Sequence, residues 1–162
     1  LAAGLDNLTW YGRGESDSYS DRKTGYDVGV WSSTVDEQFT NYVYAQETGN
    51  KTDVRWMAVT DADGDGLLVD AQDHLLEMSA LNCTLEAAGH PYQIERTDNT
   101  VLTIDYAQMG LGTASCGQAT LSQYLLGTGK TYSYTYRLKP ISKSTSEELM
   151  TESKKNYADE TL

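Results

Sequence analysis

From Lys130 to Leu138 the chain alternates Tyr132, Tyr134, Tyr136 and Leu138 with Thr131, Ser133, Thr135 and Arg137, a two-residue period that predicts a strand with one apolar and one wet face. Similar patterning marks residues 26–31, 37–44, 53–60, 66–70, 74–80, 92–96, 100–106 and 121–126, for nine or ten strands in all. In residues 53–60 both faces are bulky, Val54, Trp56 and Ala58 on one and Arg55, Met57 and Val59 on the other, as in a strand covered on both sides. The links are short. Residues 61–65, 98–99 and 127–129 read as turns, and only residues 84–88 suggest a helical turn. Parallel strands need crossovers of about a dozen residues, usually helical, and no such gap is present. The expectation is an all-β fold, an antiparallel β-sandwich built from sequential hairpins.

After Pro140 the texture becomes polar, with a capping sequence at Ser144-Thr-Ser-Glu147. Residues 1–140 are therefore expected to form the sandwich, and residues 141–162 a polar tail or linker with a short helix. With 162 residues, one core of ordinary size is affordable. The formal charge of −12 argues against nucleic acid and anionic membrane surfaces as partners. Cys83 and Cys116 are too few for a disulfide framework and read as free thiols. No stretch approaches the roughly 20 apolar residues that cross a bilayer. A cytoplasmic setting is expected, although the sequence opens without an initiator methionine and a leader could lie upstream.

Two polar runs stand out as mounts for binding groups. One, residues 41–60, reads NYVYAQETGNKTDVRWMAVT and feeds amides and carboxylates at Gln46, Glu47, Asn50 and Lys51 into a strand. The other, residues 10–23, reads WYGRGESDSYSDRK, an aromatic pair followed by a Gly-Arg-Gly turn. Glu15, Asp17, Asp21, Asp36, Glu37 and Glu47 are candidate carboxylates by composition alone, and spacing singles out none of them. Asp61, Asp63, Asp65 and Gly66 imitate the start of a calcium loop, but the twelfth position is Gln72 and the flanks are strands, so no metal is assigned. His74 and His90 have no second ligand at zinc-like spacing and read as structural. Trp10, Trp31 and Trp56 could stack on sugars but sit where core packing is the better default. The three Asn-x-Ser/Thr patterns are treated as accidental. Residues 108–117, QMGLGTASCG, form a glycine-rich loop after the strand ending at Tyr106, suited to a tight protruding turn.

Over residues 8–138 the strings WYGRGESDSYSDRKTG, STVDEQFTNYVYAQETGNKTDVRW, LLEMSA, HPYQI, LTIDYAQMGLG and YSYTYRL follow one another. In content and order they resemble the C-terminal, or small-chain, segment of the large bacterial β-galactosidases of glycoside hydrolase family two. The resemblance implies part of a galactose-mutarotase-like supersandwich, with strands missing on the N-terminal side and an exposed edge or apolar face. It implies that the catalytic glutamates belong to a separate (β/α)-barrel, that no cofactor is held in this segment, and that the chain alone hydrolyses nothing. It also implies that the loop bearing Gly112, Thr113, Ser115, Cys116 and Gly117 reaches the galactoside site of that barrel. Relatives with a GGxxSW loop place a tryptophan where Cys116 stands here, and the present loop is one residue shorter. A thiol cannot stack like an indole, which implies altered aglycone contacts; the alternative is that Cys116 fills a gap beneath the loop. A different reading of the whole chain is an autonomous carbohydrate-binding module, and a third a calcium-stabilised adhesion domain. Self-association is left open by the sequence.

Overall fold

Leu8 and Trp10 alternate with Thr9 and Tyr11 in the first strand, β1 (Asn7–Arg13), and the buried pair sets one face against the core. The computed structural model describes residues 1–43, 46–84, 90–111 and 119–155. Within them follow β2 (Val28–Thr34), β3 (Lys51–Val54), β4 (Trp56–Thr60), β5 (Asp65–Ala71), β6 (Leu76–Cys83), β7 (Arg96–Asp105) and β8 (Tyr136–Ser142). The order β2-β1-β4-β5-β8 makes one sheet and β3-β6-β7 a second, with antiparallel pairing throughout. This is the all-β sandwich that the alternation predicts.

Between the sheets lie Leu8, Trp10, Val35, Val54, Met57, Val59, Val69, Leu76, Met78 and Ala80, with Trp31, Leu102, Ile104 and Tyr134 packed at the margin. Trp10 and Trp56 are fully buried, as their positions in the sequence suggest. β4 is covered on both sides. Met57 and Val59 face the core, while Trp56 and Ala58 meet Leu68, Ile141 and Leu149 on the outer face. Leu149 belongs to α1 (Ser146–Ser153), which follows β8 directly. Thr145 caps this helix, accepting from the Glu148 amide, and Glu148 returns a carboxylate to the Thr145 amide at 2.7 Å. Ion pairs fasten the helix to the sheet: Arg137 reaches Asp70 at 2.7 Å and Glu152 at 3.4 Å, and Lys139 reaches Glu152 at 2.5 Å.

Several expected elements differ. Residues 53–60 do not form one strand; the chain leaves β3 after Val54, crosses at Arg55 and enters β4 in the other sheet. The apolar run hid this break because Val54 and Trp56 are buried on either side of it. The Gly-Arg-Gly segment is not a turn. Gly12 lies in β1 opposite Gly29, where an added Cβ would meet Val54 Cγ2 at 3.1 Å. Residues 36–38, 91–93 and 122–124 are single 3₁₀ turns in regions read as strands. Residues 98–99 lie inside β7 rather than at a hairpin. The clearest predicted strand begins only at Tyr136, because residues 132–135 are spent on other bonds: Tyr134 Oη donates to Ile104 O, and the Thr135 amide to Asp73 Oδ1. β8 then runs through Pro140 to Ser142, a proline tolerated because β8 is an edge strand. Tyr44 and residues 85–88 of the expected helical turn lie outside the described residues. Nor do the strands form a simple meander, since β3, β6 and β7 are taken out of sequence into the second sheet.

Removing the Leu149 side chain uncovers Trp56 and Leu68. Leu149→Ala should lower the unfolding free energy by about 2–3 kcal/mol, measured by urea denaturation; an unchanged midpoint would mean that α1 does not hold this face.

Candidate functional site

The two polar runs meet at one end of the sandwich. Asp53 sits at an irregularity of β3 with φ of 52°, a left-handed conformation that aspartate tolerates better than most residues. Its Oδ2 accepts from Arg13 Nε at 2.5 Å and its Oδ1 from Lys23 Nζ at 2.7 Å. Arg13 also donates to the Tyr26 carbonyl at 2.7 Å. The end of β1, the irregularity of β3 at Asp53 and the 23–26 segment are thereby joined. Burial works to raise the Asp53 carboxyl, but the hydrogen bonds and charges of Lys23 and Arg13 outweigh it and hold the group below the usual carboxylate range.

Behind this pair, residues 14–20 and 46–50 cover the face of β6 turned away from the core. Ser18 and Asn50 exchange bonds, the Ser18 amide donating to Asn50 O at 2.8 Å and Asn50 Nδ2 to Ser18 O at 3.0 Å. Asn50 Nδ2 also donates to Glu77 Oε2 at 2.7 Å. Burial pushes the Glu77 carboxyl up to about 7, against the opposing hydrogen bonds from Asn50 and the Gln108 backbone. Lys51 is fully buried, its ammonium 4.8 Å from the centre of the Trp10 ring and 3.3 Å from Glu15 O, and burial lowers it to about 8.

In front of the Asp53 and Glu77 carboxyls opens a cavity of about 390 Å³. Lys23, Asp53, Glu77 and Gln108 supply its polar wall, and Leu75, Leu125 and Leu126 its apolar rim. His74 stacks on Tyr106 beside it, ring centres 4.2 Å apart. A raised carboxyl and a depressed one in a single cavity have the electrostatic form of an acid–base pair. Both Asp53 oxygens are nevertheless taken by cations, so the pair works as an anchor rather than as a free nucleophile and acid.

The carboxylates named from composition are scattered. Asp17 is buried against Tyr42 Oη at 2.8 Å and Arg22 at 3.1 Å, Asp36 bonds Asn82 and Arg96, and Glu37 bonds Ser33. Glu15, Asp17, Glu37 and Lys51 line a smaller cleft of about 180 Å³. Glu47 is raised by burial and held by Gln108 and Thr48. Asp21 Oδ1 accepts from the Leu111 amide at 3.2 Å, at the base of the glycine-rich loop. That base is closed by the Gly110 amide donating to Tyr124 O and by Thr120 Oγ1 donating to Gly110 O, each at 2.9 Å. Gly112, Thr113, Ser115, Cys116 and Gly117 lie outside the described residues. In the 61–65 turn, Asp61 Oδ1 accepts from the Asp63 and Asp65 amides, both at 2.9 Å, which makes it a hairpin closure. Among the described residues no three metal-ligating side chains converge. Sequence reasoning missed Glu77, although a single carboxylate inside the apolar LLEMSA string was the available signal.

The fold and site define a β-sandwich with a polar, loop-flanked cavity at one end and no free catalytic pair there among the described residues. The chain belongs to the β-galactosidase small-chain family, whose described match, "Beta galactosidase small chain", covers residues 1–138. It is similar to the β-galactosidase of Priestia megaterium, 41% identical over 145 residues, which are 87% of this chain and 14% of that protein. It is also similar to those of Halalkalibacterium halodurans, 34% identical over 78% of this chain and 13% of the relative, and Streptococcus thermophilus, 32% over 87% and 14%. The chain thus spans 13–14% of the length of these relatives.

The Glu77 pair makes stability depend on pH in a defined direction. With a folded value of about 7 against an ordinary 4.5, the native state keeps a proton that the unfolded chain has released. Stability therefore falls as pH rises from about 4.5 to about 7 and the loss is complete above it. Glu77→Gln retains an acceptor for Asn50 without the charge, and should flatten this part of the profile in thermal melts at pH 5 and 8; an unaltered slope would show that Glu77 is not its source.

Proposed function

We propose that this chain is the non-catalytic C-terminal domain of a retaining β-galactosidase that hydrolyses terminal β-D-galactosides such as lactose. Its sandwich supports the catalytic portion, and the loop with Gly112, Thr113, Ser115, Cys116 and Gly117 completes the substrate region. The observation that carries this reading is the family match over 138 residues in a chain that spans about one-seventh of its relatives. The capture of both Asp53 oxygens by Arg13 and Lys23 supports it, since the cavity's ionised carboxylate is committed to holding segments together. The polar outer cover of β6 gives the loop base a rigid mount, with Leu111 tied to Asp21 and Gly110 to Tyr124. No metal or other cofactor is needed in this role.

The test is a chimera in which this chain replaces the matching stretch of the Priestia megaterium enzyme. It should hydrolyse lactose, whereas the same enzyme with that stretch deleted and the isolated chain should not. Exchanging residues 112–117 for a Gly/Ser linker of equal length should raise KM several-fold and leave the melting temperature unchanged. Turnover by the chain alone, or an inactive chimera with a native melt, would overturn the proposal. Saturable galactose binding by the chain alone would favour an autonomous module instead.

A further inference from the structure

We propose that the cleft of about 180 Å³ beside the start of β3 is a binding site for a small neutral polyol. Lys51 opens β3 and Gln38 closes the 36–38 turn, and both line this cleft although they are only 1% and 5% exposed. Neither side chain has all its bonds. The Lys51 ammonium has three hydrogens to donate. One goes to the Glu15 carbonyl at 3.3 Å, the Trp10 ring lies 4.8 Å away, and among the described residues no carboxylate forms an ion pair with it. Gln38 Nε2 donates to the Thr34 carbonyl at 2.8 Å, and among the described residues nothing donates to Gln38 Oε1. A buried ammonium and a buried amide oxygen with unspent capacity are costly to leave dry. Their polar neighbours are already committed: Asp17 accepts from Tyr42 and Arg22, Ser33 Oγ donates to Glu37 at 2.8 Å, and Ser32 Oγ pairs with Thr9 Oγ1 at 3.1 Å.

Charge, polarity and size select the occupant. Glu15, Asp17 and Glu37 around the cleft repel an anion, and the Lys51 ammonium repels a cation. Trp10 is the one large apolar group in the wall, so an apolar molecule gains little there. Lys51 offers hydrogens and Gln38 an oxygen. A vicinal diol complements both, one hydroxyl accepting from the ammonium while its neighbour donates to the amide oxygen. Burial holds the Lys51 ammonium down to about 8, with Asp17 the opposing charge, and a hydroxyl that accepts from it replaces hydration the group has lost. At about 30 Å³ per water the cleft has the volume of about six waters, which a polyol of roughly four carbons fills and a hydrated sugar ring exceeds. The cleft shares no lining residue with the Asp53–Glu77 cavity, and the inference stands independently of the galactosidase reading.

The experiment is a titration of the chain with erythritol, followed through the side-chain amide signals of Gln38 in NMR spectra and through the thermal melt. Erythritol should move the Gln38 signals along a saturating curve and raise the melting temperature in step with it. A co-solvent that is merely excluded from the surface raises the melting temperature without saturation. Ser16 is an exposed lining residue, so Ser16→Tyr puts a ring into the cleft and leaves the core alone. It should raise the half-saturating concentration at least about tenfold. Lys51→Met keeps the stem beside Trp10 and removes the donor, with an expected loss of about tenfold as well; if that variant does not fold, Ser16→Tyr decides alone. The absence of a saturating shift, or a linear response identical in the unchanged chain and in Ser16→Tyr, would overturn the site as co-solvent exclusion only. Saturable binding untouched by Ser16→Tyr lies elsewhere on the chain and overturns it too. Galactose should leave the Gln38 signals unmoved, and saturable galactose binding that Ser16→Tyr abolishes would overturn the size assignment and the proposal with it.

Discussion

The Asp53 carboxylate is the constraint on which the rest turns. The chain must pass from one sheet to the other between β3 and β4, and this leaves a charged side chain in a left-handed backbone position near the core. Arg13 and Lys23 make that position tenable by giving each carboxylate oxygen a charged donor. The same contacts hold the 14–26 segment over the second sheet. Once it is held there, Ser18 and Asn50 can close over Glu77, and the cavity gains its polar wall. Removing one member of such a pair leaves a charge without its partner, which costs far more than the pair contributes by itself.

Much of the fold was legible because alternation reports which face of a strand is dry. The strands around Val69, Met78 and Ile104 sit close to where the pattern puts them, and Trp10 and Trp56 are core residues. What the pattern could not show is a sheet change within a run of bulky residues on both faces, as at Arg55, where burial is high on both sides of the crossing. Nor could it separate tyrosines that pair in a strand from tyrosines whose hydroxyls bind elsewhere, as Tyr134 does with the Ile104 carbonyl. Two of the 3₁₀ turns share a cause: Glu37 and Gln38 bond back to Thr34, and residues 91–93 begin with Pro91 and return Gln93 Oε1 to the His90 amide, so short-range bonds decide them rather than periodicity.

The site was legible in its materials and not in its assembly. The polar runs around residues 14–23 and 46–53 do converge, yet the partners that matter, Asp53 with Arg13 and Lys23 and Asn50 with Glu77, are 27 to 40 residues apart in sequence. Composition pointed to Glu15, Asp36 and Glu37, which lie apart from the cavity. Exposed acids and buried acids look alike in a string of letters. The difference lies in the apolar neighbours of Glu77 on β6, whose burial lifts its proton affinity.

The two sheets are unequal, five strands over three, and their flanks differ in chemistry. On β8 the outermost backbone includes Pro140, which has no amide hydrogen to offer a newcomer. β7 carries ten residues without a proline and presents its far side to no neighbour among the described strands. The two flanks are therefore guarded by different means: β8 lacks a donor at Pro140, whereas on β7 the Thr100 and Ile104 carbonyls are already taken by the Leu1 ammonium and the Tyr134 hydroxyl.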